Sequence, residues 1–251
     1  MRYLLTLTTL LLSCVAFSGI IYVDKDSPIP GSGTSWITAF HTMDEAYDAA
    51  NLGDDIWVAE GVYAEDKGLQ CGHEINVYCG FAGWETQLSQ RDWENNQCIF
   101  VQALSGAFHN PIYVHHNPAA SNVTHTIVDG AYFSNWGFVD EVNHIVRGAY
   151  HPLDMEIRNC SFFNMVISEF LATLFDSYYI GESSFIAWEN CHFESITVGV
   201  EAVEEWNRGE YSFDKCSFDF CTLGEGTEDY FFKKTNFFNF ISSQPIKTLE
   251  Q

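Results

Sequence analysis

One short phrase recurs four times in the C-terminal part of the chain: Asn159-Cys160-Ser161-Phe162, Asn190-Cys191-His192-Phe193, Lys215-Cys216-Ser217-Phe218 and Lys234-Thr235-Asn236-Phe237. An apolar residue precedes each copy at a fixed offset (Ile157, Trp188, Phe213, Phe232), and the copies start 31, 25 and 19 residues apart. A strand-length phrase recurring at such spacings marks a solenoid, in which each unit buries its apolar face only by stacking on the next. Alternation along a strand puts Cys and Phe on one face, and Asn or Lys with the intervening residue on the other. Stacked as rungs, Phe162, Phe193, Phe218 and Phe237 are expected inside, about 4.8 Å apart. The variable spacers become outer loops.

The N-terminus sets the compartment. Met1-Arg2, the apolar run from Tyr3 to Leu12 and the small-residue site Ala16-Phe17-Ser18 read as a signal peptide covering residues 1–18. That run is too short to cross a bilayer. Leu11-Leu12-Ser13-Cys14 resembles a lipobox only loosely, and a lipoprotein would have almost no tether before the first strand. The expectation is therefore a secreted or cell-surface monomer without a membrane span, with one domain over 19–251. Acids outnumber basic residues 34 to 11, for a net charge of −23. Such a surface repels nucleic acid and anionic membranes. Calcium is the cofactor an acidic chain invites, but no Asp/Asn/Gly loop has calcium-ligand spacing, so no cofactor is expected.

Seven cysteines remain once Cys14 leaves with the signal. Cys160, Cys191 and Cys216 sit at the repeated inward position and read as packing thiols. Cys71 and Cys79 flank a strand-like segment and are the candidate bridge, while Cys98 and Cys221 have no evident mate. No Cys-x-x-Cys pair offers a zinc or redox motif.

The front half has a different texture. Ile20 to Val23 is β-rich, and a turn-forming stretch follows from Asp24 to Gly33. Ala39, Phe40, Met43, Ala46, Tyr47 and Ala50 then recur at helical spacing, with a capping box at Thr42–Glu45 and Gly53 as the stop. Strands follow at Ile56–Ala59 and Val62–Tyr63. Strand, helix and strand over residues 19–63 read as a cap on coils spanning 64–251, which spares the first coil an open apolar end. Farther on, Val166, Phe170, Thr173 and Leu174 share a helical face, so Val166 to Phe175 is a candidate helical insertion.

Several blocks resemble a known family. They are Ile21-Tyr22-Val23-Asp24, Gly33-Thr34-Ser35-Trp36, the run Gly53-Asp54-Asp55-Ile56-Trp57-Val58-Ala59-Glu60-Gly61-Val62-Tyr63, Tyr78-Cys79-Gly80-Phe81-Ala82-Gly83-Trp84-Glu85-Thr86, Arg91-Asp92-Trp93 and Thr126-Ile127-Val128-Asp129-Gly130. Together with the Asn-Cys-x-Phe phrases, they resemble secreted proteins of the pectin-lyase-like superfamily, in the branch with polymorphic-outer-membrane-protein-like repeats. The resemblance implies an all-β fold: a single-stranded right-handed parallel β-helix with an N-terminal α-helical cap. Cys79 stands where that branch usually has Gly, and the later coils lack its Gly-Gly pairs.

Polysaccharide lyases and hydrolases use this architecture, so the residues were searched for their chemistry. A lyase acting on uronates needs cationic groups. The candidates are Arg91, Arg147, Arg158, Arg208, Lys215, Lys233 and Lys234, and most occupy block or rung positions. A hydrolase needs two carboxylates facing a cleft, whereas Asp54 and Asp55 are adjacent and point to opposite strand faces. His109, His115, His116 and His125 are the one histidine concentration, in a loop-like segment that favours solvent over metal. Asn122-Val123-Thr124 is the credible glycosylation sequon. Trp84, Trp136, Trp188 and Trp206 are either sugar-stacking or core residues. No catalytic, cofactor-binding or metal-binding residue is assigned. The expected role is structural or binding, adhesin-like, with carbohydrate or a cell-surface molecule as ligand. The alternative is a lyase or glycoside hydrolase acting on an acidic polysaccharide.

Overall fold

Among the described residues of the computed structural model, every strand pair is parallel, apart from one isolated antiparallel bridge between Gly72 and Ile75. The structure describes residues 18–29, 31–72, 74–103, 110–115, 125–136, 144–149, 154–167, 169–174, 184–198, 209–219, 221–223, 229–238, 241–242 and 247–248. The chain is β-rich with few helices, as an all-β class requires. The expected signal segment, apart from Ser18, lies outside the described residues, as do His109, His116, Asn122, Trp206 and Arg208.

Three sheets are built in rotation. The first contains Ile20–Val23, Asp55–Ala59, Asn76–Phe81, His125–Asp129, Asp154–Arg158, Ser184–Glu189, Gly209–Asp214, Asp229–Lys233 and Lys247–Thr248, in that spatial order. The second runs Gly61–Glu65, Cys98–Gln102, Ala131–Trp136, Ser161–Ile167, His192–Val198, Ser217–Asp219 and Asn236–Phe238. Thr222–Leu223 and Ile241–Ser242 pair alongside it. The third, shorter sheet holds Leu69–Gly72, Ile112–His115, His144–Ala149 and Glu169–Leu174. In each sheet the spatial neighbour is the next visit of the chain to that sheet. Glu169–Leu174 is therefore a strand where a helical insertion was expected: it pairs with His144–Ala149 in register, and that ladder overrides the helical periodicity.

The aromatic stack is longer than the four phrases indicate. Tyr63, Phe100, Phe133, Phe162, Phe193, Phe218 and Phe237 are paired in register, with consecutive ring centroids 5.4, 5.6, 4.9, 5.1, 4.6 and 5.4 Å apart. Opposite them, Ile157, Trp188, Phe213 and Phe232 are likewise in register on the first sheet. The Trp188 ring meets Phe193 edge-on at 5.4 Å. Offset stacks within a row and edge contacts between rows are the favoured aromatic geometries. Met43 and Ala46 from the helix Met43–Ala49 close one end of this core, and the expected capping box at Thr42 and Glu45 is formed.

The repeated phrase has a different local role from the one alternation suggests. Asn159, Asn190, Lys215 and Lys234 have φ of 52°, 53°, 55° and 48°, so each is a left-handed corner joining a first-sheet strand to a second-sheet strand. Asn tolerates this conformation better than most residues. Gly130, with φ of 85°, makes the equivalent corner between His125–Asp129 and Ala131–Trp136. The Asp-Gly turn and the Asn-Cys phrase are thus one device. A second corner follows two residues after the stacked Phe, at Asn135, Asn164 and Ser195, all with positive φ.

The corner side chains connect successive strand pairs. Asn190 Nδ2 donates to Asn159 Oδ1 at 2.8 Å, and Asn159 Nδ2 donates to Asp129 Oδ1 at 2.7 Å. Asp129 Oδ2 then meets Arg91 Nη2 at 2.6 Å, where both side chains are largely buried. Arg91 Nη1 also donates to the Cys79 and Asp129 carbonyls at 2.9 and 3.2 Å. Trp93 packs against Gly80 and Gly130, where an added Cβ would fall 2.5 Å from its Cα and 2.9 Å from its Cβ. The family-like blocks around Gly80, Arg91 and Asp129 therefore meet at one structural junction.

Cys71 and Cys79 are buried free thiols on different sheets, so the expected bridge is absent. Cys160, Cys191 and Cys216 fill the corners from inside, each Sγ donating to the backbone carbonyls of Val128, Ile157 and Trp188 respectively. Burial pushes the Cys71 thiol far above its ordinary value. Among the described residues, no helix is long and apolar enough to cross a membrane.

Candidate functional site

Along a second-sheet strand, alternation sends every other side chain outward. Register then converts these positions into rows. One outward row is Ile99, Tyr132, Ser161, His192, Ser217 and Asn236. The next is Val101, Ser134, Phe163, Glu194, Asp219 and Phe238.

These rows carry an aromatic platform. Tyr132 and Phe163 stack face to face at 5.9 Å with 17° between planes, and Phe163 meets the His192 ring edge-on at 5.5 Å. All three are partly exposed. Polar groups border them. His192 Nδ1 lies 2.7 Å from Ser217 Oγ, and its Nε2 lies 3.4 Å from Glu194 Oε2. Asn164 Nδ2 donates to Asn135 Oδ1 at 2.8 Å beside the platform. Flat apolar rings with fixed donors and acceptors at their edges suit a ligand that presents both kinds of surface.

Ser217, His192 and Glu194 have the residue types of a nucleophilic triad. However, His192 and Glu194 sit on an open sheet face with side chains 37% and 45% exposed, and no oxyanion-stabilising donors converge on Ser217 among the described residues. The trio orders the His192 ring.

The other residues singled out by sequence have structural engagements. Arg158 pairs with Glu156, and Lys215 pairs with Glu189 at 2.7 Å. Arg91 belongs to the Asp129 junction. Lys233 and Lys234 are exposed at a corner, and Arg147 lies on the third sheet. Asp54 accepts from the Gly19 and Asn51 backbone N–H groups, and Asp55 accepts from Asn76, so these carboxylates order the cap. Trp136 and Trp188 are core residues, whereas Trp84 is 65% exposed. His125 approaches Asp154 and Glu156 on the first sheet. His115 lies on the third sheet, stacked on Tyr47 at 4.0 Å. The structure does not bring these two histidines together.

Sequence reasoning missed the polar junction under the cap. Glu65, at 5% exposure, accepts from the Met43 N–H at the start of the helix. Burial, and then the charges of Asp44, Asp66 and Glu45, push its carboxyl up to about 7 despite that hydrogen bond. Nearby, His115 Nε2 meets Gln70 Oε1, and Gln70 Nε2 donates to Asp44. Burial, and then the Lys67 charge, push the His115 imidazole down to about 4. The signal was available, because Tyr63 points inward and alternation carries Glu65 to the same face.

The platform was missed for the opposite reason. Tyr132 and Phe163 lie in no common motif, and only register makes them neighbours. No family model, no curated protein and no solved structure matches the chain.

Proposed function

We propose that this chain is a right-handed parallel β-helix of the pectin-lyase-like kind, exported to the cell surface or medium, and that it binds carbohydrate on the outer face of its second sheet. Support for the coil comes from the rotation of the chain through three parallel sheets, each strand pairing with its counterpart one coil later. Crossover connections between parallel strands are right-handed in nearly all proteins. The Tyr132–Phe163 stack, bordered by His192 and the Asn135–Asn164 pair, is the observation that carries the binding role. A pyranose ring has a C–H face that packs on the negative face of an aromatic ring, and hydroxyl edges that need donors and acceptors. A monomer suffices for this role.

The enzymatic alternative draws less support. Arg91, Arg158 and Lys215 are each held by a carboxylate of the chain itself. An acidic polymer also meets the repulsion of a net charge of −23.

The test is a panel of immobilised neutral, acidic and amino polysaccharides, with and without calcium, scored for retention and for released reducing or unsaturated ends. Retention without released ends is expected, and Tyr132→Ala with Phe163→Ala should abolish it. Released ends would establish an enzyme, and failure to bind any polysaccharide would remove the carbohydrate reading.

A further inference from the structure

The row beside the platform has an unusual order. Phe163, Glu194, Asp219 and Phe238 follow one another in strict register on four neighbouring strands, an aromatic, two acids and an aromatic. Like charges directly opposite on adjacent strands destabilise a sheet. Here the pair occupies an outward face with no Lys or Arg between the two carboxylates in that row. Glu194 has His192 as a neighbour at 3.4 Å, and Asp219 Oδ1 is buried with no hydrogen-bond partner among the described residues. Phe238 is 57% exposed at the far end.

We propose that this row selects an amino sugar: the second-sheet face binds a glycan whose rings carry free ammonium groups, with Glu194 and Asp219 as the ammonium receptors. This rests on the carbohydrate reading above and names the sugar class. An ammonium between two carboxylates relieves their mutual repulsion, and the flanking aromatic faces attract the same cation through their quadrupoles. The rows are about 4.8 Å apart, so a linear oligomer lying across the strands meets a ring, a carboxylate pair and a second ring in turn. The charge of −23 draws a polycation toward the chain from a distance, and salt screens that attraction. A lysine-rich peptide would share the charge complementarity but gains nothing from the sugar-stacking geometry of Tyr132 and Phe163.

Calorimetric titration of the full chain tests this with a glucosamine oligomer, its fully N-acetylated counterpart and a glucose oligomer of equal length, at a pH where the glucosamine amines are protonated. Oligolysine forms a fourth arm. The glucosamine oligomer should bind about tenfold tighter than the other two sugars, the sum of two partly exposed charge contacts, and the margin should shrink with added salt. Glu194→Gln with Asp219→Asn should erase that margin, bringing the glucosamine oligomer to the affinity of the other two sugars, and leave thermal stability equal or higher because a repulsion has gone. Equal binding of all three sugars would overturn the amino-sugar assignment while sparing the carbohydrate reading. Binding of none would overturn both, and binding of oligolysine alone would reassign the face to cationic peptides.

Discussion

Glu65→Gln should change the shape of the chain's pH–stability curve, because Glu65 and His115 pull it in opposite directions. Glu65 has a folded pKa of about 7 against an ordinary 4.5, so the folded state holds its proton more tightly. The stability from the neutral carboxyl is fully present below pH 4.5 and is lost as pH rises through 7. That loss is roughly 3 kcal/mol. His115 has a folded pKa of about 4 against an ordinary 6.5, so the folded state releases its proton, and stability is lost as pH falls from 6.5 through 4. His115 is only half-buried, and solvent screening reduces its share to about 2 kcal/mol. The two limbs overlap and largely cancel, leaving the unmodified chain to lose only about 1 kcal/mol from acidic to neutral pH. Gln at position 65 keeps the acceptor for the Met43 N–H and removes the titration, so the His115 limb stands alone. Stability of the variant should therefore rise by about 2 kcal/mol between pH 4 and 6.5. His115→Gln should show the mirror image, falling by about 3 kcal/mol from pH 4.5 to 7. Urea denaturation followed by tryptophan fluorescence across this range measures both curves. Parallel curves for the unmodified chain and Glu65→Gln would refute the burial argument for Glu65.

Three further outcomes are expected. Phe193→Ala, at the centre of the ring stack and fully buried, should cost about 4 kcal/mol in urea denaturation; Phe163→Ala on the outer face should cost less than about 1 kcal/mol, and similar costs would contradict the assignment of faces. Asn190→Gly and Asn190→Ala both lose the hydrogen bond to Asn159, and Ala should cost about 1 kcal/mol more than Gly for the left-handed φ of 53°; equal effects would argue against a left-handed corner. The seven described cysteines should resist a thiol reagent in the native state and all react in denaturant, and a disulfide found by mass spectrometry would contradict their free, buried state.

Much of the scaffold was legible before any coordinates. The inward Phe positions and the strand repeat follow from local periodicity, because each repeated strand has to satisfy the same packing as its neighbour, and the capping box follows from the spacing of Thr42 and Glu45. Two expectations failed, each for its own reason. Alternation assigned the whole Asn-Cys-x-Phe phrase to a strand, yet its first residue bends the chain, and φ at a single residue leaves no trace in hydrophobic periodicity. The segment from Val166 to Phe175 has helical spacing, but a parallel neighbour with unpaired backbone groups draws residues 169–174 into a ladder. Cys71 and Cys79 are close in sequence, and the turn between two sheets still separates them.

By itself, the sequence determined the repeating unit, its buried face and the helix that closes one end, since those depend on residues within a repeat or immediately beside it. Which outward residues become neighbours was decided only in three dimensions. Tyr132 and Phe163 are 31 residues apart, and Glu194 and Asp219 are 25 apart. The variable spacers between repeats hide their register, and the hydrogen-bonded ladder, indifferent to spacer length, sets it. The buried face is fixed by chemistry each repeat carries within itself, whereas the outer rows exist only where parallel strands meet.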